Sequence, residues 1–566
     1  MSISDMQVSL GAYQSAVVDR ALKTWSENGN TARLWHGDAT LWSGADEANW
    51  LGWLNIAPQM RDQVDALCAF AQQVRDRGIT DILLLGMGGS SLCPEVLAMT
   101  FGCPEGWPRL HVLDSTVPAQ VQRFADAVNL ETTLCVVASK SGTTTEPHAF
   151  CEFFWAKMQG TIGDTAGQHF IAITDPGSDL EALARERGFL SVFHGLPEIG
   201  GRFSALSNFG MVPAALIGID VQGFLERAVA MGKRCKISDD GNPGLLLGLV
   251  LGELAKAGRD KVTLVTSPKL WDLGAWLEQL LDESTGKKGR GLIPVDLEAV
   301  AAPDMYGKDR IFVYIRLKED ADAGQDADIE NLREAHFPVI QIDVAELLDL
   351  GAEFFRWKYA TAVAGAVLDI NPFDQPNVQE SKDFTAELTQ AYEKEGVLPV
   401  QKPFFADDGV VVYADEANAQ TLGTIKNLNS CIAGLLNQIR SGDYVALCAY
   451  LDMNEDIVSV LQALRHRIRN VYRVATTLGF GPRFLHSTGQ LHKGGPNNVV
   501  VVQLTSDDAA DMDIPGRAFS FGVLKQAQAL GDARALSSRK RRAIRIHFKK
   551  GVIAGIHRVK QAVRED

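Results

Sequence analysis

The sequence is short of several things, and each shortage excludes a class of protein. No apolar run in its 566 residues approaches the roughly 20 residues that span a bilayer. The first residues also lack the basic-then-apolar pattern of a secretion signal. Both absences predict a cytoplasmic protein with no membrane partner. Cysteine is sparse: eight residues, at 68, 93, 103, 135, 151, 235, 431 and 448, contain no CxxC pair. Several lie inside apolar runs, as reduced core cysteines do, so neither a metal site nor a disulfide framework is expected. Positive charge is in deficit, with 55 basic against 70 acidic residues and a formal charge of −15. That balance argues against a general nucleic-acid binder. Residues 531–566 run the other way, with 11 Lys/Arg against 3 Asp/Glu. The strand-like alternation of Arg542–Phe548 and the helical pattern of Val552–Val563 make that tail a solvated face.

What is present is ordinary in bulk: 46% hydrophobic and 22% charged residues, in a length that allows about three domains. Organisation centres on Ser139-Lys-Ser-Gly-Thr-Thr-Thr-Glu146. The apolar run Thr133–Ala138 before it reads as a buried parallel strand, and Pro147–Lys157 after it reads as a helix. A hydroxyl-rich strand-to-helix turn gathers backbone N–H groups, side-chain hydroxyls and the positive end of a helix dipole. Such a turn suits a phosphate, and six Ser, Thr or Gly positions in seven exceed what a simple helix cap uses.

Strands at 81–87, 110–114, 134–138 and 169–175 alternate with helices near 118–128, 146–158 and 179–187. This spacing predicts a doubly wound parallel sheet. Gly86-Met-Gly-Gly-Ser90 is a second anion candidate, weak alone because the dinucleotide spacing GxGxxG is absent. Gly200-Gly-Arg-Phe-Ser204 places Arg202 at a helix start, where the dipole disfavours a cation unless an anion offsets it. A second α/β unit starts near Pro243. Within it an amphipathic helix from Leu270 carries Gln279 and Glu283 on one face and stops at Gly286. From about 386 a third region contains the strands 444–451 and 499–504. Between them the polar loop Leu485-His-Ser-Thr-Gly-Gln-Leu-His-Lys-Gly-Gly495 offers two histidines. Residues 1–50, with four tryptophans, read as an arm packed on the first domain.

Five motifs stand in one order: 86–91, 139–146, 200–204, Glu283-Ser-Thr-Gly-Lys287 and Pro372-Phe-Asp-Gln-Pro-Asn-Val-Gln-Glu-Ser-Lys382. Together they resemble the phosphoglucose isomerase (glucose-6-phosphate isomerase) family. With Trp50-Leu-Gly-Trp-Leu54 and the 485–495 loop added, the chain resembles the isomerase half of the bifunctional transaldolase/phosphoglucose isomerase proteins. The resemblance implies an α/β fold: two doubly wound sugar-isomerase domains, at 51–238 and 239–385, after an arm at 1–50 and before a C-terminal α/β region at 386–566. It also implies an aldose–ketose isomerase of glycolysis and gluconeogenesis that interconverts glucose 6-phosphate and fructose 6-phosphate. In that scheme Gly89, Ser90, Ser139, Lys140, Ser141 and Thr144 hold the phosphate, and Gly201 and Arg202 face the reacting carbons. Glu283 moves the proton, and Gln279, Gln375 and Lys382 line the sugar.

The chain departs from the family pattern twice. Pro376-Asn-Val-Gln379 replaces a Gly-Val-Glu continuation, and the family's ring-opening histidine is missing before the 372–382 motif. The only histidine there, His336, reads as structural. His486 is the expected substitute, ahead of His492, which looks more exposed beside Lys493. Isomerisation through an enediolate needs a carboxylate base and an oxyanion partner, and it needs no cofactor. The expected partner is a small phosphosugar, with the chain a monomer or homodimer. Another phosphosugar, such as mannose 6-phosphate, or a non-catalytic phosphosugar sensor is the alternative. A sensor does not need Glu283, Arg202 and Lys382 together.

Overall fold

A computed structural model describes residues 5–563. Three parallel sheets form its framework. After the strand β1 (Asp5–Ser9), the first unit contains β2 (Asp81–Gly86), β3 (Arg109–Leu113), β4 (Thr133–Ala138), β5 (Phe170–Thr174) and β6 (Ser191–His194). All five are parallel, in the order β3-β2-β4-β5-β6. The second unit contains β7 (Lys261–Thr266), β8 (Ile293–Val295), β9 (Arg310–Leu317) and β10 (Val339–Val344), ordered β10-β9-β7-β8. The third contains β11 (Phe405–Asp407), β12 (Val410–Tyr413), β13 (Tyr444–Tyr450), β14 (Ala475–Phe480), β15 (Val499–Ser506) and β16 (Arg542–Phe548). Its parallel part runs β16-β15-β13-β14, with β12 and β11 added antiparallel beside β16.

All three sheets wind alike. Each steps once to one side of its first parallel strand (β2, β7 or β13), then returns across it and grows on the other side. A crevice therefore opens at the carboxyl ends of β2 and β4, where the winding reverses and where such sheets place ligands. The strands are almost uniformly apolar because helices cover both faces: every residue of β4 and β5 is buried.

One hydrophobic core, from Val18 to Phe373, runs through the first and second units. The expected boundary near 238 falls between two helices inside that common core, and the one at 385 falls inside the helix Pro376–Glu395. The arm goes elsewhere than expected. β1 pairs antiparallel with β10 at the edge of the second sheet, and Trp35 stacks on Phe355 of the second unit's long helix Leu350–Val367. It joins the second unit, where β1 extends the sheet beyond β10. The third unit has its own core but also shares a cluster with the second, where Ile293 and Val295 of β8 meet Tyr444, Phe484 and Leu491. Among the described residues no helix is long and apolar enough to cross a membrane.

Candidate active site

The two glycine- and hydroxyl-rich turns stand side by side after β2 and β4. Gly88–Ser90 forms a single 3-10 turn leading into the helix Leu92–Phe101. Gly89 is pressed against the Arg202 segment: a Cβ there would lie 2.0 Å from the Gly201 carbonyl oxygen. No other residue fits, so the first and third motifs are locked together. The second turn leads into the helix Thr145–Ile162, with Thr144 at its N-cap. Thr144 spends no side-chain hydrogen bond on capping. Its hydroxyl instead accepts from Ser139 Oγ at 3.2 Å, and Ser141 and Thr143 pair at 3.1 Å. Hydroxyls left to one another at a helix N-terminus form a cradle for an anion. Lys140 turns its ammonium to Asp175, which leaves its backbone as its contribution to the cradle.

Arg202 is a buried and tightly held charge. Its exposure is 1%. It donates to Ser284 Oγ at 2.7 Å, to Gln375 Oε1 at 2.8 Å, and to the carbonyls of Pro372 and Asp374 at 2.7 and 2.8 Å. With those bonds made, it sits 3.5 Å from Glu283 Oε1. Burial pulls its pKa down, and Glu283 and Asp374 oppose that pull. Glu283 lies two residues from the end of the helix Leu273–Thr285, with Gln279 one turn earlier. Gln279 Nε2 donates to Glu283 Oε2 at 3.1 Å and to the His486 carbonyl at 2.9 Å, while its buried Oε1 has no partner. The carboxylate and guanidinium form an ion pair while each also keeps partners of its own. Lys287, four residues beyond Glu283, holds Asp374 at 2.6 Å and the Asn371 carbonyl at 2.7 Å. Burial and the charge of Arg202 bring its ammonium down to about 7.

The third unit brings a histidine to this region. His486 ends a 3-10 turn, Arg483–His486, just beyond the carboxyl end of β14. Its Nε2 is 2.9 Å from Glu146 Oε1 in the second motif. Gln528, also from the third unit, donates to the same oxygen at 2.7 Å, and Thr116 orients Gln528 at 2.7 Å. Burial would raise the Glu146 pKa, but the charge and hydrogen bond of His486, with the charge of Lys382, hold it below the usual range. The turn is fastened by Arg483, which reaches Glu95 at 2.6 and 2.7 Å and Asp114 at 2.8 and 3.0 Å. Asp114 in turn accepts from Ser91 at 3.2 Å, so the histidine turn is tied to the first anion turn.

His492 corrects the expectation that it is the more exposed histidine. It is 4% exposed, between Tyr444 and Phe484, with Cys448 Sγ 3.9 Å from its Nδ1. Burial, then Lys493 and Arg541, bring its pKa down to about 3. A ring that stays neutral and is walled in this way is a core residue. The segment 485–495 is also no loop, because a 3-10 turn and the helix Gly489–Gly494 occupy most of it. His336 stands at a turn after the helix Ala323–Glu334, with a positive φ of 63°, away from these groups.

Of the sequence-predicted residues, Gly89, Ser90, Gly201, Arg202, Gln279, Glu283, Gln375 and His486 converge on one region, bordered by Ser139, Lys140, Ser141 and Thr144. Lys382 is exposed on the helix Pro376–Glu395, near enough for its charge to act on Glu146. Sequence reasoning missed Glu146, Ser284, Lys287, Arg483 and Gln490 as parts of this site. Glu146 reads only as an acidic residue in a first helical turn, and the others act through partners distant in the chain.

A family model described as phosphoglucose isomerase matches residues 54–307. A glucose-6-phosphate isomerase of Thermosynechococcus vestitus is 30% identical over 393 residues, covering 60% of this chain and 74% of that relative. The chain belongs to the phosphoglucose isomerase family. A glucose-6-phosphate isomerase of Rubrobacter xylanophilus is 29% identical over 378 residues, 58% of this chain and 87% of the relative. Among solved structures, a hypothetical protein of Thermus thermophilus shares the fold, with a TM-score of 0.59 and 24% identity, over 68% of this chain and 99% of that one. The matched phosphoglucose isomerase residues hold both anion turns, Arg202 and Glu283. Gln375, Lys382, His486 and Gln490 lie beyond them.

Proposed function

We propose that this phosphoglucose isomerase interconverts D-glucose 6-phosphate and D-fructose 6-phosphate with Glu283 as the proton-transfer base. The reaction moves one proton between C2 and C1 through a cis-enediolate. The observation that carries this assignment is the pairing of Glu283 with Arg202 at 3.5 Å in a buried setting. The carboxylate takes the proton, and the fixed guanidinium offsets the negative charge that appears on the adjacent oxygen. Because Arg202 is already held by four acceptors, its charge needs no reorganisation when the enediolate forms.

The remaining residues divide the work. Ser90, Ser139, Ser141 and Thr144, with the backbone of Gly89 and Lys140, anchor the phosphate, so its binding energy orients the reacting carbons. Gln279 and Gln375 line the sugar. His486 moves a proton at the ring oxygen, assisted by Glu146 and by the charge of Lys382. A histidine delivered by the third unit reaches Glu146 of the second motif at 2.9 Å, which supports a site completed within one chain.

The test is Glu283→Gln in a coupled assay with fructose 6-phosphate. Turnover should fall by about 10²–10⁴, with phosphosugar binding kept. A variant retaining more than half of the parent kcat would remove Glu283 from the mechanism. Efficient turnover of mannose 6-phosphate by the parent would redirect the substrate assignment.

A further inference from the structure

The helix Gly489–Gly494 follows His486 but makes no contact that ring opening explains. It is buried, and it joins two elements that carry the proton-transfer groups. Gln490, 0% exposed, makes every bond. Its Oε1 accepts from the Asn377 backbone N–H at 2.9 Å, and its Nε2 donates to Asn377 Oδ1 at 2.9 Å and to the Gly286 carbonyl at 2.8 Å.

Those partners are the unsatisfied groups that helix ends leave behind. Gly286 is the C-cap of the helix that carries Glu283. Asn377 is the second residue of the helix Pro376–Glu395, whose N-cap is Gln375. One amide thus caps the end of one helix and the start of another. We propose that Gln490, acting through Asn377 and Gly286, is a positioning residue that sets Glu283 against Arg202 and Gln375 for proton transfer.

Three observations support this. The contacts close a ring: Glu283 leads along its helix to Gly286, then to Gln490, Asn377 and Gln375, and from Gln375 to Arg202, which faces Glu283. This ring adds to the direct bond from Arg202 to Ser284 in fixing the one separation that the chemistry depends on, and opening it loosens that separation. The ring also has no slack. A Cβ on Gly494 would lie 2.4 Å from Asn377 Oδ1 and 2.5 Å from the Gly286 carbonyl oxygen, and one on Gly286 would lie 2.4 Å from Leu491 Cα. From behind, Arg541 holds the carbonyls of Lys493 and Gly495 at 2.7 and 2.8 Å. Finally, Asn377 falls within Pro376–Gln379, where this chain departs from its family's motif. Within that stretch, Asn377 is the residue whose side chain Gln490 engages.

The inference rests on the assignment of Glu283 as the base, and its test keeps the two apart. Gln490→Leu removes all three bonds at similar volume. Asn377→Ala removes only the side-chain bond and leaves the backbone N–H in place, so it provides a folded variant if the first does not fold. Both are assayed with glucose 6-phosphate carrying protium or deuterium at C2. We expect Gln490→Leu to lose between about 10- and 100-fold in kcat, with KM and inhibition by inorganic phosphate within about twofold. The deuterium isotope effect on kcat should rise above that of the parent in both variants, because proton transfer becomes slower than the other steps. A loss of folded fraction lowers kcat without moving the isotope effect. Parent isotope effects in both variants, or unchanged turnover, would overturn the inference even where Glu283→Gln is inactive. An active Glu283→Gln would overturn the underlying base assignment instead.

Discussion

His486 Nε2 and Glu146 Oε1 lie 2.9 Å apart, although 340 positions separate them in the chain. The contact joins the third unit to the phosphate cradle of the first, and it places a titratable ring beside a carboxylate that stays charged. His486→Ala should lower turnover of cyclic substrate by about 10²–10³ and that of an open-chain analogue far less. Arg483→Met, which frees the same turn from Glu95 and Asp114, should reproduce the pattern more weakly. Equal losses on cyclic and open-chain substrate would assign His486 an orienting role. Unchanged rates would leave ring opening to Lys382 or water.

The hydroxyl cradle makes a second expectation. Ser139→Ala combined with Thr144→Ala removes a mutually paired donor and acceptor at a helix N-terminus. Each lost bond to a charged phosphate oxygen is worth about 1.5–3 kcal/mol, so KM should rise by at least tenfold while kcat changes less. Inorganic phosphate should compete with substrate in the parent and compete poorly in the double variant. Normal KM and normal phosphate inhibition in the variant would make the turn a helix cap and nothing more.

His492 predicts how stability depends on pH. Its folded pKa is about 3, below the roughly 6.5 of an unfolded histidine. Between those values the unfolded chain binds the proton that the folded one refuses, so acidification through this window favours unfolding. The melting temperature should therefore fall as pH drops from about 6.5 toward 3. His492→Phe, which keeps a ring between Tyr444 and Phe484, should flatten that acid limb. An unchanged limb in the variant would place the acid sensitivity elsewhere.

Much of the site can be read in the sequence because its chemistry is local. The Ser139–Thr145 run announces itself by composition, and the flanking strand and helix follow from an apolar run and its stop. Glu283 and Gln279 share a helix face by simple spacing. The third unit's contribution was harder to read. The glycines at 489, 494 and 495 suggest a loop, yet they lie in and beside a short helix, and Gly494 serves close backbone approach to Gly286 and Asn377. Lys493 suggested exposure for its neighbour His492, but Asp532 neutralises that lysine at 2.8 Å inside the protein. The place of β1 was likewise unreadable, since a five-residue strand carries no mark of the distant edge it will join.

That pairing has a consequence for how the chain is made. β1 leaves the ribosome 330 or more residues ahead of its register partners, Val339–Asp343 of β10. At about 5–20 residues per second, β1 waits on the order of 20–70 s before its partner exists. The histidine turn and Gln490 emerge later still. Both anion turns, Arg202 and Glu283 are made roughly 200 residues, or about 10–40 s, before the histidine turn Arg483–His486. On the proposed roles, the groups that anchor the phosphate are made well before the group assigned to ring opening.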